Sequence, residues 1–299
     1  MRSAAALALA GCSIAAGCGG SSSAGREEPV AGSLEALWRA PGEDVAIVAG
    51  SEDFAPGPIR LTFLIVDGQG RLVTRPTARV WLSRALKVRP YARTTARSER
   101  IGVDEVEPGE AEAIFVTHFS VEEAGTYWVL AEPVGGRKIQ AVGTVVVRQR
   151  TRAPDVGDHV PESKTPTLET ATLAELTTAK KPDPVLYRRS IAEDLRDGRP
   201  FVVVFATPEY CTSRTCGPVV EVVSAVRRRH ASSGLDFVHV EIYEENDPAK
   251  GENRWVREWK LPSEPWVFLV GADGRVRERF EGTVSVPELD AAVRRLLRR

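Results

Sequence analysis

The feature that most constrains this chain is the stretch from Phe201 to Pro218. Phe201-Val202-Val203-Val204-Phe205 is an apolar run of strand type. A short polar turn follows, Thr207-Pro208-Glu209-Tyr210, and it leads to Cys211 and Cys216, which have four residues between them. Gly217-Pro218 then opens the apolar segment Val219-Val220-Glu221-Val222-Val223-Ser224-Ala225-Val226. That segment reads as a helix, because Pro218 suits a first helical turn, where its missing N–H is no loss. Two thiols at the end of a buried strand, beside a helix N-terminus, make a redox site. The positive end of the helix dipole stabilises a thiolate, and the thiolate is the reactive species.

Length and charge set the frame around this unit. A chain of 299 residues suggests about two domains. A formal net charge of −1 gives no general pull toward nucleic acid, so no nucleic-acid partner is expected. Arg227-Arg228-Arg229 and the arginines at 294, 295, 298 and 299 fall late in predicted helices and read as solvated faces that favour the dipole. The N-terminus has one basic residue, Arg2, then small and apolar residues, the pattern of an export signal too short to span a membrane. Leu9-Ala10-Gly11-Cys12 and Ala15-Ala16-Gly17-Cys18 both resemble the lipobox of bacterial lipoproteins, whose cysteine carries the lipid. Cys12 has the better-placed leucine, whereas Cys18 leaves a leader of suitable length; Cys18 is taken as the anchor, with Cys12 as the alternative. The reading is thus a signal peptide over 1–17, a Gly/Ser tether over 18–33, and an extracytoplasmic protein held at the bacterial membrane by lipid. The mature chain then holds one cysteine pair in an oxidising compartment. A bridge between Cys211 and Cys216 closes a very small loop and stabilises little, so its value is chemical.

Residues 34–150 read as all-β. Strand patterns run over 44–48, 59–66, 78–82, 113–117, 125–131 and 141–147, separated by turn signals such as Asp67-Gly68-Gln69-Gly70. Short strands without a convincing helix predict an antiparallel sandwich. Glu123-Ala124-Gly125-Thr126-Tyr127 resembles the tyrosine corner of immunoglobulin-like domains. His118 is the one histidine of this region and reads as a packed or surface side chain. Residues 151–184 form a Pro/Thr-rich connector, mostly extended, in which Val156-Gly157-Asp158-His159-Val160-Pro161 resembles the lead-in that many redoxin domains lay across their sheet.

From 185 to 299 the pattern alternates. Ser190 with Glu193 predicts a capped helix, the apolar runs at 201–206 and 235–243 predict strands, and 265–270 with 276–280 predict a hairpin across Ala272-Asp273-Gly274. Ser285 and Glu288 cap a last helix with Leu289, Val293 and Leu296 on its apolar face. In order and motif this region resembles the thioredoxin-like superfamily: Gly198-Arg199-Pro200, Phe205-Ala206, Leu261-Pro262-Ser263-Glu264-Pro265 and Asp273-Gly274 fall where that fold has them. The fold expected for the whole chain is therefore an immunoglobulin-like all-β sandwich followed by an α/β thioredoxin-like domain.

The resemblance implies Cys211 as the attacking thiol and Cys216 as the resolving one, with Tyr210, Glu264 and Pro265 beside the substrate and Pro265 in the cis form. It implies thiol–disulfide exchange on extracytoplasmic proteins, by way of a mixed disulfide and with no bound cofactor or metal. The chain also departs from the family. Its cysteines are spaced C-x-x-x-x-C, so Cys216 keeps the helix-end position and is the alternative attacking thiol. Val204 stands where thioredoxins have a buried acid. Three other readings use the same residues: an inert structural disulfide in a binding module, a Sco-like copper chaperone, and a peroxide reductase. The second lacks a histidine after His239, and the third has its proline misplaced.

Overall fold

The computed structural model describes residues 28–103, 111–135, 138–210 and 217–298. Helix α1 (Leu34–Trp38) is capped by Ser33, whose side chain accepts from the Ala36 N–H. Seven strands follow: β1 (Glu43–Ala49), β2 (Gly57–Val66), β3 (Thr77–Ser83), β4 (Ala92–Arg100), β5 (Ala113–Val121), β6 (Gly125–Pro133) and β7 (Ile139–Val147). They form one closed barrel in the order β1-β2-β5-β4-β3-β6-β7. Alternate residues point inward, as a strand's period of two requires. Ile59, Leu61, Phe63 and Ile65 of β2 meet Tyr127, Val129 and Ala131 of β6 and Val80 and Leu82 of β3.

The expected layout, an immunoglobulin-like sandwich followed by an α/β thioredoxin-like domain, is therefore corrected. The described residues are mostly β with few helices, and the first sheet is a barrel. Two contacts explain the difference. β4 joins β3 to β5 and fills the gap between them, although only Ala96 of its residues is fully buried. β1 then pairs in parallel with β7, Glu43 opposite Ile139 through Ala46 opposite Val142, and this seam leaves the sheet no edge. Within the barrel the Tyr127 hydroxyl donates to the Glu123 carbonyl at 2.6 Å.

The second sheet has four strands, β8 (Phe201–Phe205), β9 (Asp236–Val240), β10 (Trp266–Val270) and β11 (Val276–Glu281), in the order β11-β10-β8-β9. β8 runs parallel to β9 and antiparallel to β10, and β10–β11 is the antiparallel hairpin that its turn residues predict. The helices are α2 (Leu173–Leu176), α3 (Ile191–Arg196), α4 (Gly217–Arg229), α5 (Arg254–Glu258) and α6 (Val286–Leu296). Every residue of β8 is buried because both its faces are covered. Val202 and Val204 pack with Val219, Val223 and Val226 of α4 and Leu289 and Val293 of α6. Phe201, Val203 and Phe205 pack on the other side with Trp259, Trp266 and Phe268. Burying each such side chain contributes about 1.5–3 kcal/mol, which fixes β8 as the rigid axis of this body. Ser190 and Glu193 form a reciprocal capping box on α3, and Ser285 caps α6 by accepting from the Glu288 N–H.

The connector lies against this second sheet. Val160 N–H donates to Gly274 O, Gly157 N–H to Val276 O, and Val276 N–H to Asp158 O. Trp259 Nε1 donates to Ser163 Oγ at 3.1 Å and Trp255 Nε1 to Lys164 O at 3.1 Å. Among the described residues no helix is long and apolar enough to cross a membrane.

Barrel and second sheet are joined by buried polar groups. Glu281, on β11, accepts from the Glu52 and Asp53 N–H groups at 2.8 and 2.7 Å with one oxygen, and from Ser263 Oγ at 2.7 Å with the other. Asp53 in turn accepts from the N–H groups of Arg152 (2.9 Å) and Ala153 (3.1 Å) and pairs with Arg279 at 3.3 Å. Arg60 of β2 grips Glu288 of α6 with two nitrogens, at 2.6 and 2.8 Å. Gly282 sits so near Gly50 that an added Cβ would lie 2.0 Å from the Gly50 carbonyl oxygen.

Candidate functional site

The site is built where β8 ends. Its central position and buried side chains hold Phe205 and Ala206 in place, and α4 restarts the described chain at Gly217. Cys211 and Cys216 lie outside the described residues, as do Cys12 and Cys18. Their sequence neighbours are described. Tyr210 is exposed, and Gly217, the residue after Cys216, is the first of a 13-residue helix. The Glu209 N–H donates to Thr178 Oγ1 at 3.1 Å, so the connector holds the start of the cysteine segment.

The loop before β10 borders the same place. Trp266 is opposite Phe205 in the β10–β8 register, which brings Pro265 to the level of Ala206. The Glu264–Pro265 peptide bond is cis, and the Pro265 carbonyl accepts from the Gly282 N–H at 2.8 Å. Glu264 is half-buried and receives the Tyr243 hydroxyl at 3.4 Å. Of the residues singled out from the sequence, Glu264 and Pro265 thus lie at the mouth of β8, and Tyr210 lies on the segment that leaves it.

Beneath this mouth is a polar group that the sequence reading missed. His239, buried on β9 opposite Val204, has its Nε2 3.0 Å from the Ala206 carbonyl and its Nδ1 2.7 Å from the Tyr187 hydroxyl. A carbonyl can only accept, so the ring carries its proton on Nε2 and Nδ1 accepts from Tyr187. Burial holds the His239 pKa below its ordinary value, against the opposing pull of the Glu241 carboxylate, which keeps the ring neutral. Burial likewise pushes the Tyr187 phenol up. Glu241 accepts from the Thr178 N–H at 2.6 Å and from its hydroxyl at 2.8 Å. Its other oxygen, and the hydroxyl of Thr207, are buried with no hydrogen-bond partner among the described residues. A chain of contacts from Glu241 through Thr178 to the Glu209 backbone therefore ties a buried acid to the root of the cysteine segment. The only sequence signal for it was two polar residues, His239 and Glu241, on one face of an otherwise apolar strand.

The remaining histidines are placed differently. His230 is not free in solvent: its Nε2 is 2.8 Å from Asp290 Oδ1, and both side chains are largely buried. His118 is exposed on β5. Among the described residues no three His, Cys, Asp or Glu side chains gather as a metal site would require. Arg227, read as part of a solvated face, is mostly covered and pairs with Asp183 at 2.8 Å.

No protein-family model matches the chain, and comparison with curated proteins gives no match. Among solved structures the chain is similar to a thiol:disulfide interchange protein of the thioredoxin family from Chlorobium tepidum TLS, with 18% identity over 48% of this chain and 99% of that one, at a TM-score of 0.34. It is also similar to a superoxide reductase (neelaredoxin) from Ignicoccus hospitalis, with 12% identity over 36% of this chain and 82% of that one, at a TM-score of 0.20. Neither likeness extends to activity.

Proposed function

We propose that this chain carries out thiol–disulfide exchange through Cys211 and Cys216 on extracytoplasmic proteins, while held at the membrane by a lipid on Cys18 or Cys12. One observation carries the reading: α4 begins at the residue after Cys216, so that sulfur is tied in sequence to the N-terminus of a 13-residue helix. The free N–H groups and the dipole at such an end favour a thiolate. In the proposed reaction one thiolate attacks a sulfur of the partner's disulfide, forming a mixed disulfide and releasing the partner's other sulfur as thiolate. The second cysteine, deprotonated, attacks the mixed disulfide. This step closes Cys211–Cys216 and frees the partner as a dithiol; the reverse order oxidises a dithiol partner. Tyr210, Glu264 and Pro265 flank the exchange and contact the incoming polypeptide.

The experiment is turnover of a small chromogenic disulfide by the reduced chain, compared with Cys211→Ser, Cys216→Ser and the double variant. The reading expects loss of turnover in each single variant and a trapped mixed disulfide in whichever retains the attacking thiol. Equal rates in the wild type and the double variant would refute it and leave the pair a structural bridge.

A further inference from the structure

Residues 68–98 carry eight lysines or arginines and no aspartate or glutamate, in a chain whose formal net charge is −1. Such a block is an electrostatic footprint for an anionic partner, whatever the net charge of the whole. It comes to the surface in the β3–β4 loop, between Ser83 and Ala92. Arg84, Lys87 and Arg89 of this loop, and Arg93 just after it, are all exposed. Arg84 is taken up by Glu123 at 2.9 Å. Arg93 lies over the Trp81 ring at 5.5 Å, and neither it nor Arg89 pairs with a carboxylate among the described residues. Two large apolar side chains sit among these cations: Val88 is 46% and Tyr91 49% exposed. The loop is held in shape, since Ser83 Oγ donates to the Ala85 carbonyl at 2.7 Å and the Tyr91 N–H to the Leu82 carbonyl at 3.0 Å. Apolar tips ringed by lysine and arginine suit the boundary of a bilayer, where the tips reach the acyl chains and the cations stay with the phosphates.

A second observation bears on which anionic partner this is. The first described residues of the chain lie against this same loop. The Leu34 N–H donates to the Val88 carbonyl at 3.0 Å and the Glu35 N–H to the Leu86 carbonyl at 2.8 Å. A Cβ on Gly32 would stand 3.2 Å from Arg89 Nε. Val30, 57% exposed, lies one turn earlier, its carbonyl accepting from the Ser33 N–H. Glu28, where the described chain starts, follows Cys18 by ten residues and Cys12 by sixteen. At no more than about 3.6 Å per residue, those spans reach at most about 36 and 58 Å. A lipid on either cysteine would therefore bring the basic loop to the bilayer.

We propose that the β3–β4 loop docks on an anionic lipid bilayer, with Lys87, Arg89 and Arg93 at the phosphates and Val88 and Tyr91 at the apolar boundary. The inference goes beyond thiol exchange and needs neither Cys211 nor Cys216. It rests on the proposed function only for the nearness of a membrane.

The test uses the full chain with Cys12→Ser and Cys18→Ser, so that no lipid can attach. It is sedimented with vesicles of phosphatidylcholine containing about 30% phosphatidylglycerol, or of phosphatidylcholine alone. Binding to the anionic vesicles is expected, weakening as salt is raised, with at least about tenfold weaker binding to the neutral ones. A cation at an anionic surface is worth about fivefold in affinity, so Lys87→Glu/Arg89→Glu is expected to weaken binding by at least about twentyfold. Val88→Asp, at an exposed tip, is expected to weaken it by a few-fold. Arg228→Glu/Arg229→Glu makes the same change of charge at the exposed end of α4 and is expected to stay within about twofold of the parent. Thermal melting of each variant confirms folding. No binding to the anionic vesicles, equal binding to both kinds, parent-like binding by Lys87→Glu/Arg89→Glu, or an equal loss in Arg228→Glu/Arg229→Glu would overturn the proposal. Tighter binding of a labelled DNA duplex than of vesicles, lost in the same loop variant, would overturn it too, by assigning the loop to nucleic acid. Lipid attachment is read separately, from the mass of the unmutated chain extracted from membranes, so failure of either reading leaves the other standing.

Discussion

Gly282 offers the sharpest test of how barrel and second sheet are locked together. It has φ +71, and a Cβ there would stand 2.0 Å from the Gly50 carbonyl oxygen and 3.2 Å from its carbon. Two costs add in Gly282→Ala. A left-handed backbone with a Cβ costs about 1–2 kcal/mol. The clash is with backbone, not with a flexible side-chain tip, so relief requires β11 and the loop after β1 to part, at about 1–3 kcal/mol for an overpacked site. The sum is roughly 2–5 kcal/mol. Gly234→Ala provides the reference, since Gly234 has φ +74 with nothing within 4 Å of the added Cβ and bears the first cost alone. Urea unfolding followed by tryptophan fluorescence and far-UV circular dichroism gives both losses. The expected result is a larger loss for Gly282→Ala, by about 1–3 kcal/mol, with the two halves unfolding less cooperatively. Equal losses in the two variants would refute the reasoning, because they would mean that the contact at Gly50 resists nothing.

Two further outcomes follow from the same interface and its neighbours. Glu288→Gln takes the counter-charge from the mostly buried Arg60 guanidinium, which keeps its bond to the Thr283 carbonyl, and a loss of about 2–3 kcal/mol is expected in urea unfolding; a loss near zero would class the pair with exposed ones. Asp194 is fully buried, and burial raises its pKa to about 6 from 3.8, even though Arg189 pairs with it at 2.5 Å. A raised carboxyl binds its proton more tightly in the folded state, so this contribution is complete below about pH 4 and is lost as pH rises through about 6, amounting at most to roughly 3 kcal/mol. The urea midpoint of Asp194→Asn, measured from pH 4 to pH 7, is expected to fall less with rising pH than that of the wild type, and an unchanged slope would contradict the assignment.

What the sequence made legible was local. β2 and β6 announce themselves by runs of β-branched and aromatic residues, the β10–β11 hairpin by Ala272-Asp273-Gly274, and the starts of α3 and α6 by their serine caps. β4 was illegible because Arg, Thr, Ser and Glu occupy nearly all of Ala92–Arg100, and Ala96 is a weak apolar mark. The β1–β7 seam was illegible for a different reason: parallel pairing of strands at opposite ends of a sheet leaves no trace in either strand alone. Together they turn an expected sandwich into a barrel. The candidate site divides in the same way. Tyr210, Glu264 and Pro265 could be singled out from motif likeness, whereas the polar group beneath them could not. His239 meets Tyr187 across 52 residues and Glu241 meets Thr178 across 63, and no local period encodes such a meeting.

The seam also decides where the chain comes in and where it goes out. β1 and β7 run side by side in the same direction, so the polypeptide enters at the end of the cylinder where both begin and departs from the end where both finish. A strand of nine residues such as β7 spans roughly 30 Å at about 3.3 Å per residue, less whatever its tilt subtracts. The start of β1 is therefore kept about a strand's length from the residues that follow Val147, by a strut that cannot shorten without unzipping.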